Sequence, residues 1–486
     1  MSQLSKLSPQ PLWQHFQSLC DIPRPSKFEQ QAADFVKEFG EKLGLETLVD
    51  EVGNVIIRKP ATAGMENRRG VVFQSHLDMV PQKNTDTNHD FTKDPIKAYV
   101  DGEWVTAEGT TLGADNGIGV AAAMAVLEST DISHGPVEAL FTIDEESGMT
   151  GAHGLKPGLL NGQILLNMDS EEEGELCVGC AGGVDVSVKS SYTEEAAPVG
   201  YQGLSISLKG LKGGHSGVDI KLQRGNANKL MVRLLKAMAA INVRLASFSG
   251  GTLRNAIPRE AFAVIAVPAD QAVTAERMIS EHLEQFRNEL AEVEPSLTIN
   301  VESEELPAKV MALADQQKLL DILHVSPNGV QRMSLSVEGV VETSNNLAIV
   351  TIKSGQFSAE NMVRSLVDSA REDHAEAIAS LYRLAGVEVV KDGAYPGWKP
   401  NTDSDILKVM SSLHEEMFDR APEITVIHAG LECGLLGSAY PEWDMISFGP
   451  TIQFPHSPDE KVSISAVANF WKYLLETLKR IPEAHS

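Results

Sequence analysis

Several apolar runs of this chain end on side chains that can do chemistry. The run VVFQSHLDMV ends on His76 and Asp78. Positions two apart on a strand share a face, so this carboxylate can orient this imidazole for a metal. GTTLGADNGIG sets Asp115 and Asn116 between glycines at the mouth of an alanine-rich run. VEALFTI runs out into Asp144, Glu145 and Glu146, QILLNM into Asp169 and SEEEGE, and the tail segment TIQFPHSPDE carries His456. Taken singly, each has an ordinary explanation. An HxD pair can be a hydrogen-bonded loop, Asp115 a helix cap, and an acidic run a solvated face. Taken together, they put two imidazoles and several carboxylates after separate strands, where like charges repel unless a cation holds them. Mixed imidazole and carboxylate ligands without thiolate suit zinc, with manganese or cobalt as substitutes. More carboxylates than one ion needs points to two ions, ~3.5–4 Å apart, sharing a carboxylate and a water.

The elements that must position these groups follow from periodicity. Ser8 with Pro9 reads as a helix start, and Ser26 with Glu29 as a capping box before Ala32, Phe35, Val36, Phe39 and Leu43, with Gly44 as the stop. Beyond them, near-continuously apolar strands alternate with helices. That pattern predicts an α/β domain with a mostly parallel sheet covered on both faces, and ligands collect beyond the carboxyl ends of such strands. From about Asp185 the strands alternate, as in VDVSVKSSY and LSISLKGLKG, which predicts an α+β insertion with one solvated sheet face. The cluster GAYPGWKP marks the return to the first domain. The expected organisation is one domain split over 1–186 and 397–486, with a second domain at 187–396.

Composition narrows the classes. A chain of 486 residues exceeds one ordinary core, and a formal net charge of −26 argues against nucleic acid or an anionic membrane as partner. No apolar stretch approaches the ~20 residues of a membrane helix and the N-terminus lacks a signal-peptide layout, so a cytoplasmic protein is expected. Four scattered cysteines give no disulfide framework, and the pair Cys177 and Cys180 has no second pair to complete a zinc ribbon. GGHSG falls short of a nucleophile elbow, since Val218 stands where glycine is needed.

The motifs HLDMVP, GADNGIG, TIDEESGMTGAHGL, NMDSEEEGE, GGHSG, GGTLRNAIP and PHSPDE, in this order over nearly the whole chain, resemble those of the di-zinc exopeptidases that include carboxypeptidase G, aminoacylase and carnosinase. The resemblance implies two zinc ions. His76 and Asp169 would bind one, Glu146 and His456 the other, and Asp115 would bridge them, with a cis peptide after it. It implies that Asp78 orients His76 and that Glu145 is the general base for a bridging hydroxide. It also matches His215 to a histidine of the lid domain that stabilises the developing oxyanion, Asn255 to a substrate contact, and Arg364 to the fork for the substrate's terminal carboxylate. Within the family, the resemblance is strongest to enzymes that cleave unblocked dipeptides, with β-alanyl-histidine among the expected substrates. In smaller relatives the equivalent of His215 reaches the active site of a dimer partner, and an enlarged lid can supply it within its own chain; a homodimer is expected. The rival readings are an N-acyl amino acid deacylase or carboxypeptidase of the same family, and a non-catalytic peptide-binding protein.

Overall fold

The computed structural model describes residues 4–484. The chain divides into two compact units, Met1–Gly179 with Pro400–Val426 and Leu431–Ser486, and Cys180–Lys399 with Ile427–Gly430. The first break comes earlier than the composition shift near residue 186. Gly182–Ser191 is one continuous strand that pairs along its length with Gln356–Ser365, so it belongs wholly to the second unit. The segment Ile427–Gly430 is the other departure, because the C-terminal part of the chain lends four residues to the second unit.

In the first unit, the strands Val137–Thr142, Val71–His76, Ile164–Asn167 and Asp444–Ser447 lie side by side and parallel. Antiparallel neighbours flank them, so the sheet is mixed around a parallel centre. All three of the strands Val71–His76, Val137–Thr142 and Ile164–Asn167 are buried from end to end, as strands covered on both faces must be. Helix Ala114–Glu128 is buried through Leu127 and apolar all round, which its alanines allow at close range. It joins Trp13, Phe16, Phe73, Phe141 and Phe470 in one core.

Near the N-terminus the expected capping box does not form. Helix Gln30–Lys42 starts at Glu29 without a side-chain cap, and the Ser26 hydroxyl donates to Asp78 Oδ2 at 2.7 Å instead. Gly44 follows the helix at φ +70°, as a helix stop requires.

The second unit is built on an antiparallel sheet whose strands include Gly182–Ser191, Tyr201–Lys209, Ala261–Pro268, Val341–Lys353 and Gln356–Ser365. Burial alternates along Tyr201–Lys209 and Ala261–Pro268, the mark of a sheet with one face on the core. Helices Ala227–Met238, Ala272–Leu290, Leu313–Val325 and Asp368–Leu384 supply its core with Leu234, Ile279, Leu323 and Tyr382.

Candidate metal centre

The parallel strands end together, and the side chains that follow them converge. His76, the last residue of its strand, points Nε2 at Asp115 Oδ1, 3.0 Å away, and at Asp169 Oδ1, 3.3 Å away. His456 points its own Nε2 at Asp115 Oδ2, 3.2 Å, and at Glu146 Oε2, 3.0 Å. One imidazole N–H can serve one acceptor, yet each of these nitrogens faces two carboxylate oxygens. Ligand atoms of His76, Asp115 and Glu146 all lie within 4.8 Å of one another. Glu146 Oε1 is buried without a hydrogen-bond partner. These donors fit a divalent cation, and a cation would relieve both the doubled contacts and the repulsion among the carboxylates.

Asp115 is not a helix cap. Gly113, in the left-handed region, precedes the helix, and Asp115 itself is non-helical at φ −78° and ψ 109°, with a cis peptide to Asn116. The bend sends its side chain toward both histidines. The flanking glycines make room for Arg24. A Cβ at Gly113 would lie 2.6 Å from an Arg24 Nη, and one at Gly117 2.7 Å.

Asp78 serves several groups at once. Its Oδ1 lies 3.4 Å from His76 Nδ1 and accepts the Glu145 N–H at 2.9 Å, while Oδ2 accepts the Glu146 N–H at 3.2 Å. Burial alone would raise this carboxyl, but the His76 imidazole and the Ser26 and Glu145 donors bring it down to about 2. Capping the short helix Glu145–Gly148 in this way fixes the glutamates' backbone. Burial, opposed by His76 and reinforced by the charges of Asp169, Glu432 and Glu146, holds the Glu145 carboxyl well above the ordinary range. That is what a proton-transferring carboxyl needs. Asp144, the first of the three acids, turns instead to the hydroxyls of Ser147 and Thr150.

Residues 72–480 match the family described as Peptidase family M20/M25/M40. The chain belongs to this family. It is 50% identical over 483 residues, 99% of this chain and 100% of the relative, to the cytosol non-specific dipeptidase of Escherichia coli (strain K12). It is also similar, at 51% identity and a TM-score of 0.95, to the crystal structure of aminoacylhistidine dipeptidase from Vibrio alginolyticus, over 100% of this chain and 99% of that one. The aminopeptidase PepT from Bacillus cereus shares the fold at a TM-score of 0.57 and 16% identity, covering 98% of this chain and 99% of that one.

The remaining expected residues lie in the second unit of this M20-type peptidase. Arg364 is 4% exposed on its strand, with Nη1 donating to the Tyr395 hydroxyl at 2.8 Å and Nε to Ser216 Oγ at 3.4 Å. Both of these partners are hydroxyls rather than carboxylates. His215 Nδ1 accepts the N–H groups of Gly217 and Val218, at 3.2 and 3.1 Å. Burial and then the Arg364 charge lower its basicity, so a neutral ring carries its proton on Nε2 and offers it as a donor. Asn255 is exposed. Its neighbours are fixed, since the Asn346 side chain donates to the carbonyls of Arg254 and Ala256 at 3.2 and 2.8 Å.

Three groups escaped the sequence reading. Glu171, within a run that reads as solvated charge, is half-buried and raised to about 9 by burial and by Asp115 and Asp169. Its place two residues after Asp169 was the available signal. Glu432 is buried and accepts from Gln74 Nε2 at 2.6 Å and Thr142 Oγ1 at 2.7 Å, near the ends of the strands Val71–His76 and Val137–Thr142. His428 is buried against Ser344 Oγ at 2.8 Å in the second unit. His428 directly follows the strand Glu423–Ile427, so the end of that run was its available signal, whereas nothing in the local pattern around Glu432 marks it.

Proposed function

We infer that this chain is a metal-dependent dipeptidase acting on unblocked dipeptides, and we propose that His76 and Asp169 hold one divalent ion, His456 and Glu146 a second, with Asp115 shared between them. The observation that carries this reading is the division of Asp115, whose two carboxylate oxygens each meet a different histidine. Zinc suits the donor set, and manganese or cobalt could replace it. When bound, such ions polarise a carbonyl and make water a nucleophile near neutral pH. The protein's own groups do the rest.

Asp78 holds His76 in register and caps the turn bearing both glutamates. Glu145 takes the proton of the attacking water and delivers it to the leaving amine. His215, with its Nε2–H free, donates to the negative charge that develops on the carbonyl oxygen. Arg364 receives the terminal carboxylate in a charge-assisted pair, with Asn255 as a further substrate contact. The names of the Vibrio alginolyticus and Escherichia coli relatives support extending the substrate range to aminoacyl-histidines such as β-alanyl-histidine and placing the protein in the cytosol.

The test is hydrolysis of β-alanyl-histidine and of its N-acetylated form by metal-stripped and zinc-restored protein. The expected result is turnover of the free-amine dipeptide only, lost on stripping and regained with zinc. Equal rates on both substrates would reassign the protein to the deacylase or carboxypeptidase branch. Undiminished turnover after stripping would remove the metal from the mechanism.

A further inference from the structure

Two buried side chains, Glu460 and Arg24, hydrogen-bond backbone groups of the loops that carry the presumed ligands and tie those loops together. Glu460 is 2% exposed and lies four residues beyond His456. Its Oε2 accepts the N–H groups of Leu112 and Gly113 at 2.7 and 2.9 Å, and its Oε1 those of Ala114 and Asp115 at 2.8 and 3.3 Å. One side chain thus takes four consecutive backbone donors, the last of them the N–H of Asp115 itself. From another direction, Arg24, also 2% exposed, donates to the carbonyls of Leu77 and Asp78 at 3.0 and 3.1 Å and to that of Gly113 at 2.5 Å. The segments that carry His76, Asp115 and His456 are therefore joined by contacts that leave every ligand atom free.

We propose that Glu460 is a positioning residue for the metal centre, setting the spacing between Asp115 and His456 so that one carboxylate can serve two ions. This rests on the two-ion reading above and adds to it a group outside the ligand set. The geometry requires two acceptor oxygens a carboxylate's width apart. A glutamine would turn an NH2 group against two of the four N–H donors. An aspartate, one methylene shorter, keeps the charge but cannot reach all four. Groups that orient metal ligands without touching the metal affect affinity by roughly 10- to 100-fold.

Metal binding decides the matter, read on Glu460→Gln and Glu460→Asp beside wild type. Zn2+ affinity and stoichiometry are measured by competition with a chromophoric chelator, and magnetic coupling between ions by electron paramagnetic resonance of the Co2+-loaded protein. Glu294→Gln serves as the structural control, because buried Glu294 accepts the Lys212 and Gly225 N–H groups in the second unit in the same manner. We expect both Glu460 variants to bind Zn2+ at least about 10-fold more weakly at one of two sites, with altered Co2+ coupling. Glu294→Gln should lower the melting temperature while leaving Zn2+ affinity alone. If Glu460→Gln does not fold, Glu460→Asp carries the same comparison. Folded Glu460 variants with wild-type affinity, stoichiometry and coupling would overturn the proposal and leave the two-ion reading standing. A wild type that takes up no metal, or only one equivalent, would overturn both.

Discussion

The carboxylates around Asp115 and the basic groups around Arg364 are all partly or wholly withdrawn from water, yet the two units settle their charge in opposite ways. Around Asp115 acids outnumber bases, and burial pushes the carboxyls of Glu145, Glu146 and Asp169 above their ordinary range, a cost to their charged forms that a cation would relieve. Asp78 is the exception, brought down to about 2 because His76, Ser26 and a backbone N–H satisfy it. In the second unit the bases are the ones out of water. His215 and His428 are pushed toward the neutral form by burial and by the guanidinium of Arg364, which donates to the hydroxyls of Tyr395 and Ser216. One region is short of a cation and the other of an anion. A dipeptide's terminal carboxylate suits the second, and divalent ions suit the first.

Removing the proton carrier from the acidic region should have the largest effect. Glu145→Ala is expected to lower kcat by roughly 10²- to 10⁴-fold, the usual worth of a general acid–base, while metal content measured by atomic emission stays at the wild-type level. Lost metal would instead make Glu145 a ligand. On the basic side, Arg364→Met leaves the substrate carboxylate unpaired, costing about 2–5 kcal/mol, or roughly 30-fold and more in kcat/KM. Unchanged kinetics would place the carboxylate elsewhere.

The basic region also predicts a dependence of stability on pH. Burial, then the charge of Arg364 and that of His215, lowers His428 to about 3 from the 6.5 of a free imidazole. Between those values the unfolded chain binds a proton that the folded chain does not, so stability falls as pH drops below about 6.5 and is unaffected above it. At pH 5 the loss from this one group is about 2 kcal/mol. Urea unfolding of metal-free wild type and His428→Gln at pH 7 and pH 5 should show a shallower acid loss in the variant. Parallel losses would mean that His428 titrates normally.

Much of the acidic region could be read in the chain because strand ends are marked locally. A buried strand is a run of apolar residues, and the polar groups at or just past its end, here His76, Glu145 and Asp169, lie where a parallel sheet exposes its carboxyl end. Roles within the cluster came from resemblance, not from pattern. Glu460 lies in a quoted motif, but no spacing rule says that its side chain folds back on Leu112–Asp115. Ser26 was misread because Ser-x-x-Glu is a good capping signal on its own, and only tertiary contact reveals that Asp78 claims its hydroxyl. His428 ends an apolar run as His76 does, but its place in the molecule is hidden for a plainer reason. It reaches the second unit through a four-residue excursion of a distant segment, and such a crossing leaves no mark in local composition.

The finest contrast between the regions is how each aims its key side chain, and Tyr395 tests it. Asp78 aims His76 and is itself held by the Ser26 hydroxyl and two backbone N–H groups, whereas Arg364 is aimed by a hydroxyl 2.8 Å away and only weakly by Ser216 at 3.4 Å. Gly183 pairs with Tyr395 across the sheet, and a Cβ there would lie 2.6 Å from the phenol oxygen, so the glycine makes room for the ring. Tyr395→Phe keeps the ring and the guanidinium charge but removes one charge-assisted hydrogen bond, worth about 1.5 kcal/mol or roughly 10-fold. That loss should fall mainly on KM, because it loosens the hold on a substrate group that takes no part in the bond change. Gly183→Ala should reproduce it by displacing the same ring. A fall in kcat at constant KM in either variant would mean that Tyr395 acts on the reacting atoms and that the basic region does more than hold a carboxylate.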